Sequence, residues 1–266
     1  MSVVLDKNSN AIECHKSTVL FRGGAFVFLC RKACGMGGKQ TYMCEATRDN
    51  RMEEWFRQRR LLNMHLCESV KFAGAFGLPL VAAFEGSVPQ RLIGFNRALT
   101  SQDYDCGIHF FIDDYQFERV WNTPEKYLSL LRRFRCVIAP DFSLYIDLPP
   151  ALNFWNVYRN RLLAAWWQSQ GIRVIPSASW GNADSFIFCF DGLPHSSIIA
   201  VGHTAVGRNQ TAKNASVLGM SECLRVLNPS KVLVYGKPFD LNFNNFVYLT
   251  DNINSLRHGK TKIRKH

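Results

Sequence analysis

The sequence predicts an α/β domain with a mostly parallel central sheet and helices on both faces, behind an irregular Cys/Gly-rich N-terminal extension. Three observations carry this. Short apolar runs recur along the chain, each closed by Gly, Pro or Asp. Helix-forming stretches separate several of them. The chain's 266 residues, 47% hydrophobic and 13% aromatic, suffice for one large domain with its own core. Apolar strands alternating with helices imply βαβ crossovers, and hence a parallel sheet covered on both sides.

In chain order, residues 1–90 form the extension. Residues 19–21 and 25–29 read as short strands around Gly23-Gly24, and 51–70 as a helix with Trp55, Phe56, Leu61, Leu62 and Leu66 mostly to one side and Arg57, Arg59 and Arg60 as a basic cluster. The α/β body spans 91–250. Its first clear strand is 107–112, ending in Asp113-Asp114. Thr123-Pro124 opens a helix, with Thr as N-cap and Pro at the first position. A strand at 136–139 ends in Pro140-Asp141, a long helix runs over 150–170, and Gly171 stops it. Strands follow at 173–175, 185–188 and 197–201, then a helix at 212–227 and a strand at 231–235. Residues 251–266 are a basic flexible tail, with Lys260, Lys262 and Arg264 able to touch phosphates without sequence preference.

Charge bounds the partner. The chain holds 32 Lys and Arg against 21 Asp and Glu, a net +11. Residues 101–150 run the other way, with eight acids and five bases, so they carry −3 while the remainder carries +14. A basic body around an acidic patch suits an enzyme acting on a polyanion, here DNA, expected double-stranded. Arg57, Arg59, Arg60, Arg208, Lys213 and Lys237 join the tail as candidate backbone contacts. The plain alternative is a solvated basic surface. The apolar stretch 19–30 is broken by Arg22, Gly23 and Gly24, so no membrane span and no secretory signal are expected. Nine cysteines without an export signal point to reduced thiols in the cytoplasm. Cys14, Cys30, Cys34 and Cys44, near His15, could hold a structural zinc or iron–sulfur cluster, though no paired CxxC is present; no other cofactor is expected.

Sites in parallel sheets lie beyond the carboxyl ends of the strands. That rule selects Asp113, Asp114 and Asp141 as catalytic carboxylates able to activate water, stabilise an oxocarbenium ion or bind Mg²⁺. Asp113 and Asp114 are adjacent, so one faces the site and the other caps. His203, between Gly202 and a following helix, is placed to support a leaving base or a phosphate. Phe142, Ser143, Tyr145, Ser177, Trp180, Thr204 and Asn209 make up the expected base pocket, with Trp180 in a polar loop suited to stacking on an extruded base. Each also has a structural reading: Asp as a turn cap, His203 as a loop residue, Trp180 as core. The aromatic stripe of the long helix, Phe154, Trp155, Tyr158, Trp166 and Trp167, reads as packing.

From about residue 89 to 240 the chain resembles a family of unassigned proteins of bacteria, phages and mobile elements that carries a domain of unknown function. The resemblance rests on 91–96 (RLIGFN), 103–121 (DYDCGIHFFIDDYQFERVW), 140–145 (PDFSLY), 155–159 (WNVYR) and 174–176 (VIP). The first 90 residues fall outside it, and the loop 203–209 departs from the family's pattern. At fold level the chain is also similar to the uracil-DNA glycosylase superfamily, whose short parallel sheet carries an acidic loop after an early strand and a His- or Asn-bearing loop after a late one; that superfamily's motifs are absent here. Asp113/Asp114 and His203 occupy comparable chain positions. The implied activity is excision of a base from DNA, including modified bases of invading phage DNA. A Mg-dependent nuclease and a non-enzymatic nucleic-acid-binding accessory protein of a mobile element are the alternatives.

Overall fold

The computed structural model describes residues 62–204 and 210–249, together with the backbone of three N-terminal strands. The chain divides into two compact units, Met1–Thr41 and Tyr42–His266. In the first unit, β1 (Ala11–Cys14), β2 (Ser17–Arg22) and β3 (Ala25–Cys30) form an antiparallel meander. Arg22 pairs with Ala25 at one end of the β2–β3 ladder. Cys14 and Cys30 lie on these strands; His15, Cys34, Cys44, Arg57, Arg59 and Arg60 lie outside the described residues.

In the second unit the described residues include a 3₁₀ turn, Met64–Ser69, where the sequence predicts the end of a longer helix. The short hairpin β4 (Phe72–Ala73) and β5 (Leu78–Pro79) follows. Composition groups residues 62–90 with the extension, yet they pack on the α/β body: the Val81 amide donates to the Gly192 carbonyl at 2.8 Å, and the Gln168 side chain brackets the Ala82 backbone with bonds of 2.8 and 2.9 Å.

The body is a parallel sheet of β6 (Leu92–Gly94), β7 (Gly107–His109), β8 (Cys136–Ile138), β9 (Val174–Ile175), β10 (Ile198–His203), β11 (Lys231–Gly236) and β12 (Phe246–Leu249). A parallel bridge from Ser177 to Ala200 joins the first four strands to the last three. The strands therefore neighbour one another in chain order. Helices α1 (Phe95–Ala98), α2 (Glu118–Asn122), α3 (Leu128–Leu131), α4 (Pro150–Ser169) and α5 (Gln210–Leu227) lie in the connections. The α/β class and the parallel sheet are as the sequence predicts.

The expectation of helices on both faces narrows. Ile108, Val137, Val174, Ile199 and Val232 share one face, and the buried residues of the helices, such as Leu163, Trp167, Met220 and Leu227, cluster with them. The opposite face contributes Leu92, Cys136, Ile138, Ile175, Ala200, Leu233 and Leu249 to a third cluster with Phe84 and Phe111. No described helix enters that cluster. Right-handed crossovers between successive neighbouring strands put every helix on the same side. The bare side is buried because the sheet curls: β7 and β11 are four strand positions apart, about 19 Å in a flat sheet, yet the rings of His109 and Tyr235 lie 4.1 Å apart.

Two local expectations change. Residues 185–187 belong to a 3₁₀ turn, Ala183–Ile187, which Phe188 caps, and no strand forms there. Ser185 fastens it, its hydroxyl donating to the Asn182 carbonyl at 2.7 Å and accepting from the Gly181 amide at 3.1 Å. The helix predicted at Thr123 is a 3₁₀ turn, Pro124–Tyr127, running into α3, and Thr123 turns its hydroxyl back to the Arg119 carbonyl at 3.0 Å. The stop at Gly171 holds, with φ of 77° just past α4. No helix of the described residues is long and apolar enough to cross a membrane.

Candidate functional site

A cavity of about 1010 Å³ opens at the carboxyl ends of β7 to β10, with the first turns of α5 as one wall. Asp113, Asp114, Asp141, Ser143, Tyr145, Trp180 and Thr204 border it, so the strand-end rule brings together most of the predicted pocket.

The two neighbouring aspartates both border the cavity, against the expectation that one faces the site and the other caps, but they sit differently. Asp113 is exposed and its carboxylate accepts from the Gln116 amide at 3.3 Å. Asp114 is half-buried and receives Ser143: the Ser143 amide lies 3.2 and 3.1 Å from Oδ1 and Oδ2, and the Ser143 hydroxyl donates to Oδ1 at 2.9 Å. Burial pushes the Asp114 pKa up, while these bonds and the Arg159 charge pull against it. Asp141 follows the buried Pro140. Its Oδ1 is shut off from solvent and has no hydrogen-bond partner. Burial pushes its pKa up to about 7, opposed by the Ser179 hydroxyl, assisted by the Asp114 charge and opposed again by Arg161. The cavity thus holds two carboxyl groups in unequal surroundings, an arrangement that separates an acid from a carboxylate.

Helix α4 sets this geometry. Asn153, Asn156 and Asn160 recur at i, i+3 and i+7, one face of a helix. Asn160 accepts from the Phe142 amide at 2.8 Å and donates to its carbonyl at 3.2 Å. Asn156 donates to the Ser143 carbonyl at 2.7 Å. Asn153 accepts from the Tyr145 amide at 2.9 Å and donates to its carbonyl at 2.7 Å. Three side chains thereby satisfy the backbone of the loop that carries Asp141 and Ser143. Arg159 continues the network, donating to Asn156 at 2.6 Å and to both Glu118 oxygens at 2.8 and 3.0 Å. Arg161, fully buried, donates to the carbonyls of Ser177, Cys189 and Asp191 at 3.2, 2.6 and 3.1 Å. Its pKa falls to about 10 through burial, and it remains a cation behind Asp141. Asparagines at helical spacing inside an otherwise apolar helix were the signal that could have revealed this clamp.

Other predicted residues stand apart from the cavity. His203 does not line it. The residue shares the parity of Ile199 and Val201 along β10, so it faces the helix side, where its ring stacks on Phe239 at 3.9 Å and Nδ1 pairs with the Lys237 carbonyl at 2.7 Å. Burial lowers its pKa, which keeps it neutral. Phe142 is fully buried, with the Arg159 guanidinium 3.7 Å over its ring, so it packs and is no stacking platform. Ser177 is buried and donates to the Pro140 carbonyl at 2.9 Å, tying the ends of β8 and β9. Lys213 and Lys237 are exposed. Arg208, Asn209, Lys260, Lys262 and Arg264 lie outside the described residues. Sequence reading passed over Asp147 and Tyr115, which also border the cavity, Tyr115 being 78% exposed. Among the described residues, no three of His, Cys, Asp and Glu converge as a metal cluster.

The chain is similar to two phage proteins, each called "Gene 1 protein". It is 40% identical to that of Mycobacterium phage L5 over 56% of this chain and 67% of the relative. It is 42% identical to that of Mycobacterium phage D29 over 49% of this chain and 48% of the relative, so it spans about half of that protein's length. No solved structure matches. The model of a family described as "Domain of unknown function (DUF4417)" matches residues 70–252, which takes in all seven strands of the parallel sheet, and the chain belongs to that family.

Proposed function

We propose that this protein is a DNA glycosylase-type hydrolase that excises a base from DNA. The observation that carries this reading is the pair Asp114 and Asp141, facing one cavity at the strand ends in unequal environments. Asp141 is the acid. It delivers its proton to the departing base as the C1′–N bond breaks and the bonding electrons leave with the base. Asp114 is the carboxylate. It stabilises the oxocarbenium sugar and takes a proton from the water that forms the new C1′–O bond. The sum is addition of one water across the glycosidic bond. His203, expected to support the leaving base, packs away from the cavity, and Asp141 takes that role.

The substrate nucleotide must leave the stack to reach such a cavity. Tyr115, Tyr145 and Trp180 offer aromatic surface at its border. The net charge of +11 supports binding of the phosphate backbone outside it.

The test is incubation with plain and base-modified phage DNA, with and without EDTA, read by an abasic-site probe and a denaturing gel. The expected result is abasic sites that persist in EDTA and fall at least about 100-fold in Asp114→Asn and Asp141→Asn. Strand breaks that vanish with EDTA would instead assign the carboxylates to a Mg-dependent nuclease. Salt-dependent binding without product would leave a binding protein.

A further inference from the structure

The charges of residues 101–150 are segregated along the strands. Asp113, Asp114, Asp141 and Asp147 border the cavity beyond the carboxyl ends. Arg132, Arg133 and Arg135 stand directly before β8, and Arg173 stands directly before β9. These strands are parallel, so the four arginines share the amino end of the sheet, away from the cavity. The Val137 amide donates to the Arg173 carbonyl at 2.9 Å, which sets Arg173 beside Cys136 and close to Arg135. Sequence order hides this gathering, because all of α4 lies between Arg135 and Arg173.

The arginines are held in place yet open to solvent. Arg132, Arg133 and Arg173 are exposed. The Arg133 guanidinium lies 4.0 Å over the Tyr104 ring. Such stacking uses the face of the group and leaves its N–H edge available. Arg132 donates to the Gln170 carbonyl at the end of α4 at 3.1 Å. Arg135 donates to the Ser87 hydroxyl at 2.6 Å and pairs with Asp105 at 3.1 Å. The Asp105 side chain is 80% exposed, so that pair is weak and Arg135 can exchange it for another anion. Among the described residues, Arg133 and Arg173 make no hydrogen bond or ion pair.

We propose that this amino-end face is a contact surface for the phosphate backbone of a nucleic acid, with Arg132, Arg133, Arg135 and Arg173 reaching phosphate oxygens. A guanidinium presents a planar fork of N–H donors that matches two phosphate oxygens at once, and it sheds water more readily than an ammonium group. Several such groups along neighbouring strand ends suit a linear polyanion, and each contact releases counterions. The net charge of +11 favours the same class of partner. Contacts of this kind position a nucleic acid without reading its sequence. The face lies at the opposite end of the strands from the cavity, so it does not depend on the base-excision reading. On that reading, the backbone held here belongs to a different stretch from the nucleotide in the cavity.

The salt dependence of binding tests this in the full chain. The probe is a fluorescein-labelled DNA duplex of about 20 base pairs, followed by anisotropy between about 50 and 300 mM NaCl. A variant carrying Arg132→Gln, Arg133→Gln and Arg173→Gln together should flatten the slope of log K against log salt by about 0.9 for each lost contact, or about 2.7 in all. Its affinity at low salt should fall at least about tenfold. Arg→Lys at the same three positions keeps the charge and should keep most of the slope. An unchanged slope in the Gln variant overturns the proposal. Equal flattening in the Lys variant also overturns it, because the loss would then come from the fold and not from the charge. A Gln variant that binds DNA as the wild type does, yet loses a polyglutamate peptide, would assign the face to an acidic protein and overturn it too. The slope reads binding alone, so its outcome is separate from whether abasic product forms.

Discussion

Asp114 and Ser143 follow the ends of neighbouring strands β7 and β8, and the carboxylate of one takes both the amide and the hydroxyl of the other, at 2.9–3.2 Å. This contact makes two loops into one wall of the cavity. Its bonds favour the charged form of Asp114, whereas burial disfavours it. Ser143→Ala removes the hydroxyl bond and leaves the amide. The Asp114 pKa should rise further, and the protein should lose about 0.5–1.5 kcal/mol. Carboxyl NMR titration of Asp114 and chemical denaturation measure both; an unchanged titration would show that the hydroxyl is not holding the charge.

Asp141 couples the site to stability. Its pKa is pushed up to about 7 in the fold by burial, from an unfolded value near 3.8. Below about pH 4 both states hold the proton. Between there and pH 7 only the folded state does, so stability falls as pH rises through this window and levels off above it. Asp141→Asn removes that dependence. The variant should match the wild type near pH 4 and exceed it at pH 8 by up to about 4 kcal/mol. Urea melts at the two pH values give the sign directly, and equal differences at both would contradict the buried acid.

On the base-excision reading proposed above, the same titration governs activity. Asp141 must carry a proton to deliver one, so abasic-site formation should decline above about pH 7 as that proton is lost. The declining limb belongs to Asp141 and should be absent from the residual activity of Asp141→Asn. A profile flat from pH 6 to 9 in the wild type would remove Asp141 from the acid's role.

The Asn clamp predicts a local effect. Asn160 holds the Phe142 amide at 2.8 Å and its carbonyl at 3.2 Å, next to Asp141. Asn160→Leu keeps similar bulk but leaves both backbone groups buried and unpaired, which costs about 1–3 kcal/mol for each group. Hydrogen exchange at the Phe142 amide should accelerate well beyond that at core strands such as β11. Equal acceleration everywhere would mean global destabilisation and no special hold on the site loop.

Much of this was legible in the residues. The runs at 107–112, 136–139, 197–201 and 231–235 are apolar because a parallel strand is covered on both faces, and each overlaps a strand of the sheet. The carboxylates at their ends follow from the same rule. Periodicity does not state strand order, so the curl that brings His109 to Tyr235 was out of reach. The side taken by His203 was within reach, since counting by twos from Ile199 places it under the helices. The helical spacing of Asn153, Asn156 and Asn160 was a legible signal, but the loop backbone they hold was not, because only the fold brings those partners to α4.

Gly219 and Trp180 supply the last prediction. Gly219 is buried in the interior of α5, where glycine costs about 1 kcal/mol relative to alanine. Its use there has a steric cause: a Cβ at 219 would fall inside the Trp180 indole, which packs against the bare backbone. Trp180 is half-buried, and its ring also approaches Phe190 and Phe239 at 6.2 and 6.4 Å. Gly219→Ala therefore sets a gain in helix propensity of about 1 kcal/mol against overpacking of about 1–3 kcal/mol. The clash should win, because the ring cannot move by the required distance without leaving its contacts. The expected result is a net loss of up to about 2 kcal/mol and Trp180 displaced toward the cavity. Comparison of tryptophan emission with a Trp180→Phe background isolates the ring. A variant more stable than the wild type, with unchanged emission, would mean that Trp180 yields freely and does not shape the cavity wall.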